Sequence, residues 1–295
     1  MRNLLNTLQW AEKKRVAVPH FNIAGYEQFK AVAETARELD LPVLIGVSEG
    51  ERKYLGVKQV HDLLTSYNEE YGDKENDGGF WLFLNADHTH DPALAKEAAS
   101  AGFDEVLFDG GKLPLDEDIK QTGEVVKMLK SINPALVVEG EMGYIGSDSE
   151  MWDKIPEGAA LSPDALTKPE DAARFVSETR VDMLAPAVGN VHGMFRGGHD
   201  PRLDIQRIKA IKDATKVPLV LHGGSGTVDE DFTAAIDAGI TIVHISTEIR
   251  VAWRKGVERG LEEKPDEVAP YKIMPAAIEG MKAVIGARMK LFYKQ

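Results

Sequence analysis

The chain has 295 residues, no cysteine and a formal net charge of -13, so a disulfide framework is excluded, and the acidic balance argues against a general binder of nucleic acid or anionic membrane, which needs a basic footprint. No apolar run reaches the roughly 18 residues of a membrane span, and the opening MRNLLNTLQWAEKKR turns charged too early for a secretory core. A cytoplasmic protein without membrane or nucleic-acid partners is the expectation.

In chain order the apolar runs are VAVPHFN (16–22), VLIGVS (43–48), WLFLNAD (81–87), VLFDG (106–110), LVVEGEMG (136–143), MLAPAVG (183–189), LVLHGG (219–224) and TIVHIST (241–247). Each has strand length and β-branched or aromatic content. Amphipathic helical patterns separate them, among them YEQFKAVAETAREL, PALAKEAASAG, DIKQTGEVVKMLKSI, KPEDAARFVSET and LDIQRIKAIKDAT. Eight strands alternating with helices are the count of a closed parallel barrel, which commonly takes about 250 residues as one unit. A doubly wound open sheet fits the alternation less well, because its first strand normally runs into a G-x-G-x-x-G turn, and VPHFNIAG stands there instead. The expectation is a single (β/α)8 TIM barrel over residues 1–295, with extra C-terminal helices over about 261–295, packed outside the barrel or used between subunits. The connection GYIGSDSEMWDKIPEGAALSPDA after the fifth strand is long for a compact domain, which marks it as functional or disordered. Pro186 within the sixth strand removes a ladder donor and implies a local bulge.

Polar residues collect where these strands end: Asp87 and His88 on the third, Asp109 on the fourth, Glu139 and Glu141 on the fifth, His192 after the sixth, His222 on the seventh and His244 in the eighth. In a barrel all these ends converge on the face that carries the active site. A lone strand histidine is more often a hydrogen-bonded core residue than a ligand, but recurrence at three equivalent ends weakens that reading. His88, His192 and His222 together supply three imidazole nitrogens, a set suited to zinc with one open position for substrate. His61 and His199 read as structural or surface residues, and His90 stands beside an apparent helix start at Asp91-Pro92.

The stretch HGGSG (222–226) gives the glycines a reason. Gly223 and Gly224 let the backbone approach an anion, and the loops after strands seven and eight are the recurring phosphate site of barrels. Ser225, Ser246 and Thr247 add hydroxyls at the adjoining helix starts, where the helix dipole favours negative charge. A tight turn is the bland alternative.

The segments VPHFN, ADH, GFDEVLFDG, VEGEMGYIG, LTKPEDAARFVSETRVDMLAPAVGNVHGMFRGG, PRLDIQRIKAI, VPLVLHGGSG and STEIRVAW, in this order over nearly the whole chain, resemble the class II, zinc-dependent fructose/tagatose-bisphosphate aldolases. The resemblance implies reversible cleavage of a ketose bisphosphate into dihydroxyacetone phosphate and glyceraldehyde 3-phosphate without a Schiff base. It implies His88, His192 and His222 as ligands of one catalytic zinc per subunit, and Glu141 as a carboxylate able to approach the metal. Asp87 corresponds to the acid/base for the C4 hydroxyl. Gly193, Gly223, Ser225 and Thr247 correspond to the ketone-side phosphate cradle, which also admits a monovalent cation, and Gly224, His244 and Ser246 are further candidates for binding the substrate or its phosphate. Asn22 and Ser48 correspond to substrate-facing positions, and Arg288 to a C-terminal arginine that reaches a neighbouring subunit's site, so a homodimer or homotetramer is implied. The second base lies on the loop after strand five, where Asp148 and Glu150 are both candidates.

The chain departs from the family pattern at Asn85, where a histidine is usual, at His244, where an asparagine is usual, and at Gly111, where a serine is usual. These positions surround the ligand rather than the metal, so fructose and tagatose bisphosphates both stay open as substrates. A zinc hydrolase on the same barrel and a non-catalytic sugar-phosphate-binding protein are the competing readings. A protonated His244 tuning phosphate affinity is a further expectation.

Overall fold

The computed structural model describes residues 2–146, 150–153, 162, 164–196 and 201–295. Ten strands occur among them: β1 Val18–Asn22, β2 Pro42–Val47, β3 Trp81–Thr89, β4 Glu105–Phe108, β5 Val137–Met142, β6 Met151–Trp152, β7 Met183–Pro186, β8 Met194–Phe195, β9 Leu219–Leu221 and β10 Ile240–Ile245. Eight of them close into a parallel barrel in the order β1-β10-β9-β7-β5-β4-β3-β2, and β6 with β8 forms a separate two-stranded ribbon. The barrel strands are the eight apolar runs of the sequence. The fold is a (β/α)8 TIM barrel.

The helices among the described residues are α1 Leu4–Lys14, α2 Tyr26–Leu39, α3 Glu49–Leu55, α4 Val57–Tyr71, α5 Pro92–Ala101, α6 Leu115–Ile132, α7 Pro169–Thr179, α8 Ile205–Thr215, α9 Asp229–Ala238, α10 Thr247–Glu263, α11 Pro270–Ile273 and α12 Pro275–Phe292. In α2 the residues Phe29, Val32, Ala33 and Ala36 recur at helical spacing and are all fully buried. Each large apolar side chain so covered contributes about 1.5–3 kcal/mol relative to exposure. Asp40 ends the helix in the left-handed region, its N–H closing back onto Ala36 and Arg37. The tail follows the same logic: Met281, Ile285, Met289 and Phe292 form one buried stripe of α12, which packs between α2 and α10. It is tied to the barrel where the Ala17 N–H donates to the Phe292 carbonyl at 3.1 Å and the Tyr293 hydroxyl to the Pro42 carbonyl at 2.6 Å.

Pro186 does not produce the expected bulge. It is the last residue of β7 and pairs in register with Met142, so the strand loses no interior donor. The irregularities lie elsewhere, one between Ile240 and Ile242 of β10 and one between Ala86 and Thr89 of β3. The second brackets Asp87 and His88, and His88 adopts a φ of 39°. A bulge of this kind re-aims side chains at the end of a strand, which links the backbone irregularity to the site.

Candidate active site

His88, His192 and His222 converge at the carboxyl ends of β3, β7 and β9, with ring centroids 4.8, 4.9 and 5.9 Å apart. One nitrogen from each lies within 4.8 Å of the others. The His88 Nδ1 donates to Asp109 Oδ2 at 2.8 Å, and the His222 Nε2 donates to the fully buried Glu139 Oε1 at 3.0 Å. Each bond fixes its ring with the other nitrogen turned away from the carboxylate, where it carries a lone pair once the ring is neutral. His88 Nε2, His192 Nε2 and His222 Nδ1 are all buried without a hydrogen-bond partner, and an orphaned trio of lone pairs fits a zinc ion.

Charge follows the same geometry. Burial opposes ionisation of His88, but Asp87, the Asp109 hydrogen bond and Glu141 outweigh it and raise its pKa well above the usual histidine range. Burial, joined by His88 and His222, pushes His192 well below that range. Burial also works against the Asp109 carboxylate, but its bond to His88 prevails and brings it to about 2.

Asp87 lies beside this centre, 3 % exposed, its Oδ1 3.9 Å from His88 Nε2. Burial disfavours its charge, yet the imidazoles of His88, His20 and His222 and the Asn22 hydrogen bond hold the carboxyl far below the usual carboxylate range. Asn22 Nδ2 donates to Asp87 Oδ2 at 2.8 Å and to Glu51 Oε2 at 3.3 Å. Glu141 is buried at the other side of His88, its Oε2 3.6 Å from Nδ1, and groups with His88 and Asp109 rather than with the three orphaned nitrogens.

Asn22, Asp87, His88 and His192 border a cavity of ≈ 200 Å³. One wall carries Asn22, Ser48, Asp87 and His88, and another carries Gly193, Gly223, Gly224, Ser225, Ser246 and Thr247, with His192 and His244 between. Gly223 has a φ of 59°, and a Cβ there would run into the Val191 carbonyl, so the turn needs glycine. The Gly224 N–H is taken by the His244 carbonyl at 3.1 Å. Ser225 Oγ accepts from the Ser246 and Glu248 N–H groups at 3.2 and 3.3 Å, which leaves its own O–H as a donor. The N-terminus of α10 begins at Thr247 on this wall, bringing the positive end of its dipole to the cavity. Ser48 has a second task as N-cap of α3, in a capping box with Glu51.

The loop after β5 comes to the rim through the ribbon. The Met194 N–H donates to the Glu150 carbonyl at 2.9 Å, and the Trp152 indole donates to the His192 carbonyl at 2.8 Å. The Glu150 side chain is exposed, while Asp148 and His199 lie outside the described residues. Arg288 does not line the cavity; its guanidinium is held by Glu248, at 2.7 and 2.8 Å, and by Asp229 at 2.6 Å. His90 is exposed and bonds the Asp109 carbonyl.

His244 sits among other imidazoles. Burial and the imidazoles of His20, His222, His88 and His192 push its pKa well below the usual range, so it stays neutral near pH 7. It stacks on His20 with centroids 3.4 Å apart and planes 6° from parallel, and burial brings His20 to about 4. His20, Asn190 and Arg250 lie inside the segments VPHFN, LTKPEDAARFVSETRVDMLAPAVGNVHGMFRGG and STEIRVAW, but neither they nor Glu51 stand out as candidate site residues in the sequence. Asn190 Nδ2 donates to the His222 carbonyl at 3.0 Å, and the alternation of Asn190 with His192 is the sequence feature that could have pointed to it. Asn85 is fully buried with neither amide atom partnered.

A parallel barrel with three convergent imidazoles at its carboxyl face has the architecture of a metal-assisted barrel enzyme. Residues 2–295 match the family described as class-II fructose-bisphosphate aldolase. The chain is 32% identical over 293 residues to a probable fructose-bisphosphate aldolase of Bacillus subtilis (strain 168), covering 99% of this chain and 96% of that protein. It is 31% identical over the same length to a fructose-bisphosphate aldolase of Geobacillus stearothermophilus, with the same coverage. Among solved structures it resembles the YdjI aldolase of Escherichia coli K12, with a TM-score of 0.80 and 26% identity over 98% of this chain and 96% of that one. The chain belongs to the class II fructose-bisphosphate aldolase family, a family of carbon–carbon lyases. No helix among the described residues is long and apolar enough to cross a membrane.

Proposed function

We propose that the protein is a zinc-dependent ketose-bisphosphate aldolase that cleaves fructose 1,6-bisphosphate or its C4 epimer, tagatose 1,6-bisphosphate, to dihydroxyacetone phosphate and glyceraldehyde 3-phosphate. The observation that carries this reading is the orphaned trio His88 Nε2, His192 Nε2 and His222 Nδ1 beside the buried Asp87 carboxyl, whose Oδ1 lies 3.9 Å from His88 Nε2. Zinc held by these three imidazoles would supply the Lewis acid that holds the ketone oxygen while the adjacent carbon carries negative charge.

The protein's own groups account for the rest. The ketone-side phosphate sits against Gly193, Gly223, Ser225 and Thr247, at the start of α10. Asp87, ionised and oriented by Asn22, accepts the C4 hydroxyl proton; the C3–C4 bond breaks, its electron pair stays on the ketone half, and the aldehyde leaves. Glu150, brought to the rim by the ribbon, returns a proton to C3; Asp148 is the other candidate for that step. Both carboxylates reverse their roles in the condensation direction. His244, neutral and stacked on His20, offers the phosphate half a hydrogen bond rather than a charge.

The test is triose phosphate release by zinc-loaded protein given fructose and tagatose 1,6-bisphosphates in parallel. Release from one or both supports the reading, and the ratio names the epimer. Absence of release from both contradicts it.

A further inference from the structure

The glycine-rich wall of the cavity is braced from behind by one side chain. The loop after β9 brings Gly223, Gly224 and Ser225 to the cavity and runs into α9 at Asp229, while the adjoining wall is the start of α10 at Thr247. Arg288, one turn before the end of α12, reaches both helix starts. Its Nε and Nη2 donate to Glu248 Oε2 and Oε1 at 2.8 and 2.7 Å, and its Nη1 donates to Asp229 Oδ1 at 2.6 Å. The guanidinium also lies over the Phe232 ring, 5.0 Å from its centroid, and Phe232 packs edge-on against Phe292 of α12.

Glu248 passes this restraint on to the loop. Its Oε1 accepts from the Gly226 N–H at 3.1 Å as well as from Arg288, and its own N–H donates to Ser225 Oγ at 3.3 Å. Ser225 and Gly226 are thus tied to α10 through one residue whose two carboxylate oxygens Arg288 holds. A guanidinium fork of this kind fixes a carboxylate in direction as well as in place.

Charge supplies a second reason for the arginine. Glu248 and Asp229 stand in the first turns of α10 and α9, where the helix dipole favours negative charge. A carboxylate there competes with a phosphate for the same positive helix end, in a chain whose formal net charge is already -13. Arg288 offsets that charge at a place where its side chain is 17% exposed and that of Glu248 11%, so salt screens the pair little.

We propose that Arg288 is a positioning residue for the ketone-side phosphate, acting within its own chain through Glu248 and Gly226. The inference rests on the aldolase reading and adds to it the group that keeps the phosphate loop in shape and its helix starts positive.

The experiment follows solvent exchange of the α-proton of dihydroxyacetone phosphate, which carries the ketone-side phosphate alone, on zinc-loaded parent, Arg288→Met, Arg288→Lys and Arg288→Met combined with Glu248→Gln. Arg288→Met should raise the half-saturating concentration about five- to tenfold, the scale of one uncompensated charge at a helix end. Its exchange rate at saturation and its zinc affinity should stay within about twofold of the parent. Arg288→Lys should recover part of the loss. Glu248→Gln added to Arg288→Met should also recover part, because the charge is gone while the amide oxygen still accepts from Gly226. An unchanged half-saturating concentration in Arg288→Met, or a fall in the saturating rate or in zinc affinity as large as the expected shift, would overturn the assignment. A parent that exchanges no proton refutes the aldolase reading instead. Calorimetric titration with dihydroxyacetone phosphate then decides the arginine: weaker binding to Arg288→Met sustains it, and equal binding, or none to either protein, overturns it.

Discussion

His88 Nδ1 lies 2.8 Å from Asp109 Oδ2, and Asp109 Oδ1 accepts from the Gly111 N–H at 3.0 Å. The carboxylate is thereby fixed by a turn and in turn fixes the imidazole, with Nε2 directed to the other two histidines. Outer partners of this kind typically change metal affinity by about 10–100-fold when removed. Asp109→Ala should weaken zinc binding by about that factor, measured by competition with a chromophoric chelator. Parent-like affinity would mean that the hydrogen bond does not orient the ligand.

In the proposed reaction Asp87 and Glu150 divide the proton transfers, so their variants should fail at different steps. Asp87→Ala should lose cleavage by about 10²–10⁴-fold, the usual range for a general acid/base, while keeping its zinc. Solvent exchange of the α-proton of dihydroxyacetone phosphate should persist in it. Glu150→Gln should lose exchange along with cleavage, and the same measurement on Asp148→Asn decides between the two loop acids. Loss of exchange in Asp87→Ala, with zinc bound, would contradict this division.

Gly46 stands in β2 opposite Asn85 of β3, and a Cβ there would overlap the His20 ring. The stack of His20 on His244 therefore depends on a residue with no side chain. Gly46→Ala should destabilise the protein by about 1–3 kcal/mol, as overpacking of a filled core does. His20→Ala in the same chain should relieve the collision, so the two changes should not be additive in urea unfolding. Additive losses would show that His20 is not what Gly46 accommodates.

Glu105 is fully buried in the barrel. Burial first, and then the neighbouring charge of Glu139, hold its carboxyl well above the usual carboxylate range. A raised carboxyl pKa contributes stability that is fully present below the unfolded value, near 4.5, and is lost as pH rises through the folded one. From Glu105, the unfolding free energy should fall by up to about 1.4 kcal/mol per pH unit across that window. Glu105→Gln, which mimics the protonated form, should lack this part of the slope in denaturant unfolding at several pH values. An identical slope in parent and variant would contradict the assignment.

The barrel strands were legible because strands covered on both faces read as short apolar runs, whatever they pack against. The three imidazoles were legible because they stand at equivalent strand ends. His20 was not, since VPHFN reads as core, and only barrel closure brings β1 beside β10 and pairs His20 with His244. Arg250 and Glu51 read as ordinary charges on helix surfaces, because their sequence separation of 199 residues hides the 2.7 Å pair between them. The surroundings of His244 were hidden for a related reason: the strand shows only its place beside the phosphate loop, whereas without a phosphate the dominant influences are burial and four neighbouring imidazoles. Pro186 was misplaced by three residues of strand length, β7 ending at Pro186 rather than at Gly189.

In the proposed reaction His88, His192 and His222 hold one zinc on which ketose-bisphosphate cleavage depends. The most direct measurement strips the protein with a chelator and follows triose phosphate release from fructose 1,6-bisphosphate as zinc is returned, with tagatose 1,6-bisphosphate in parallel. Activity should be absent after stripping, rise with added zinc and saturate at one equivalent per chain, and borohydride added with substrate should leave it unchanged. Activity that survives stripping, or inactivation by borohydride through a trapped lysine adduct, would contradict the account.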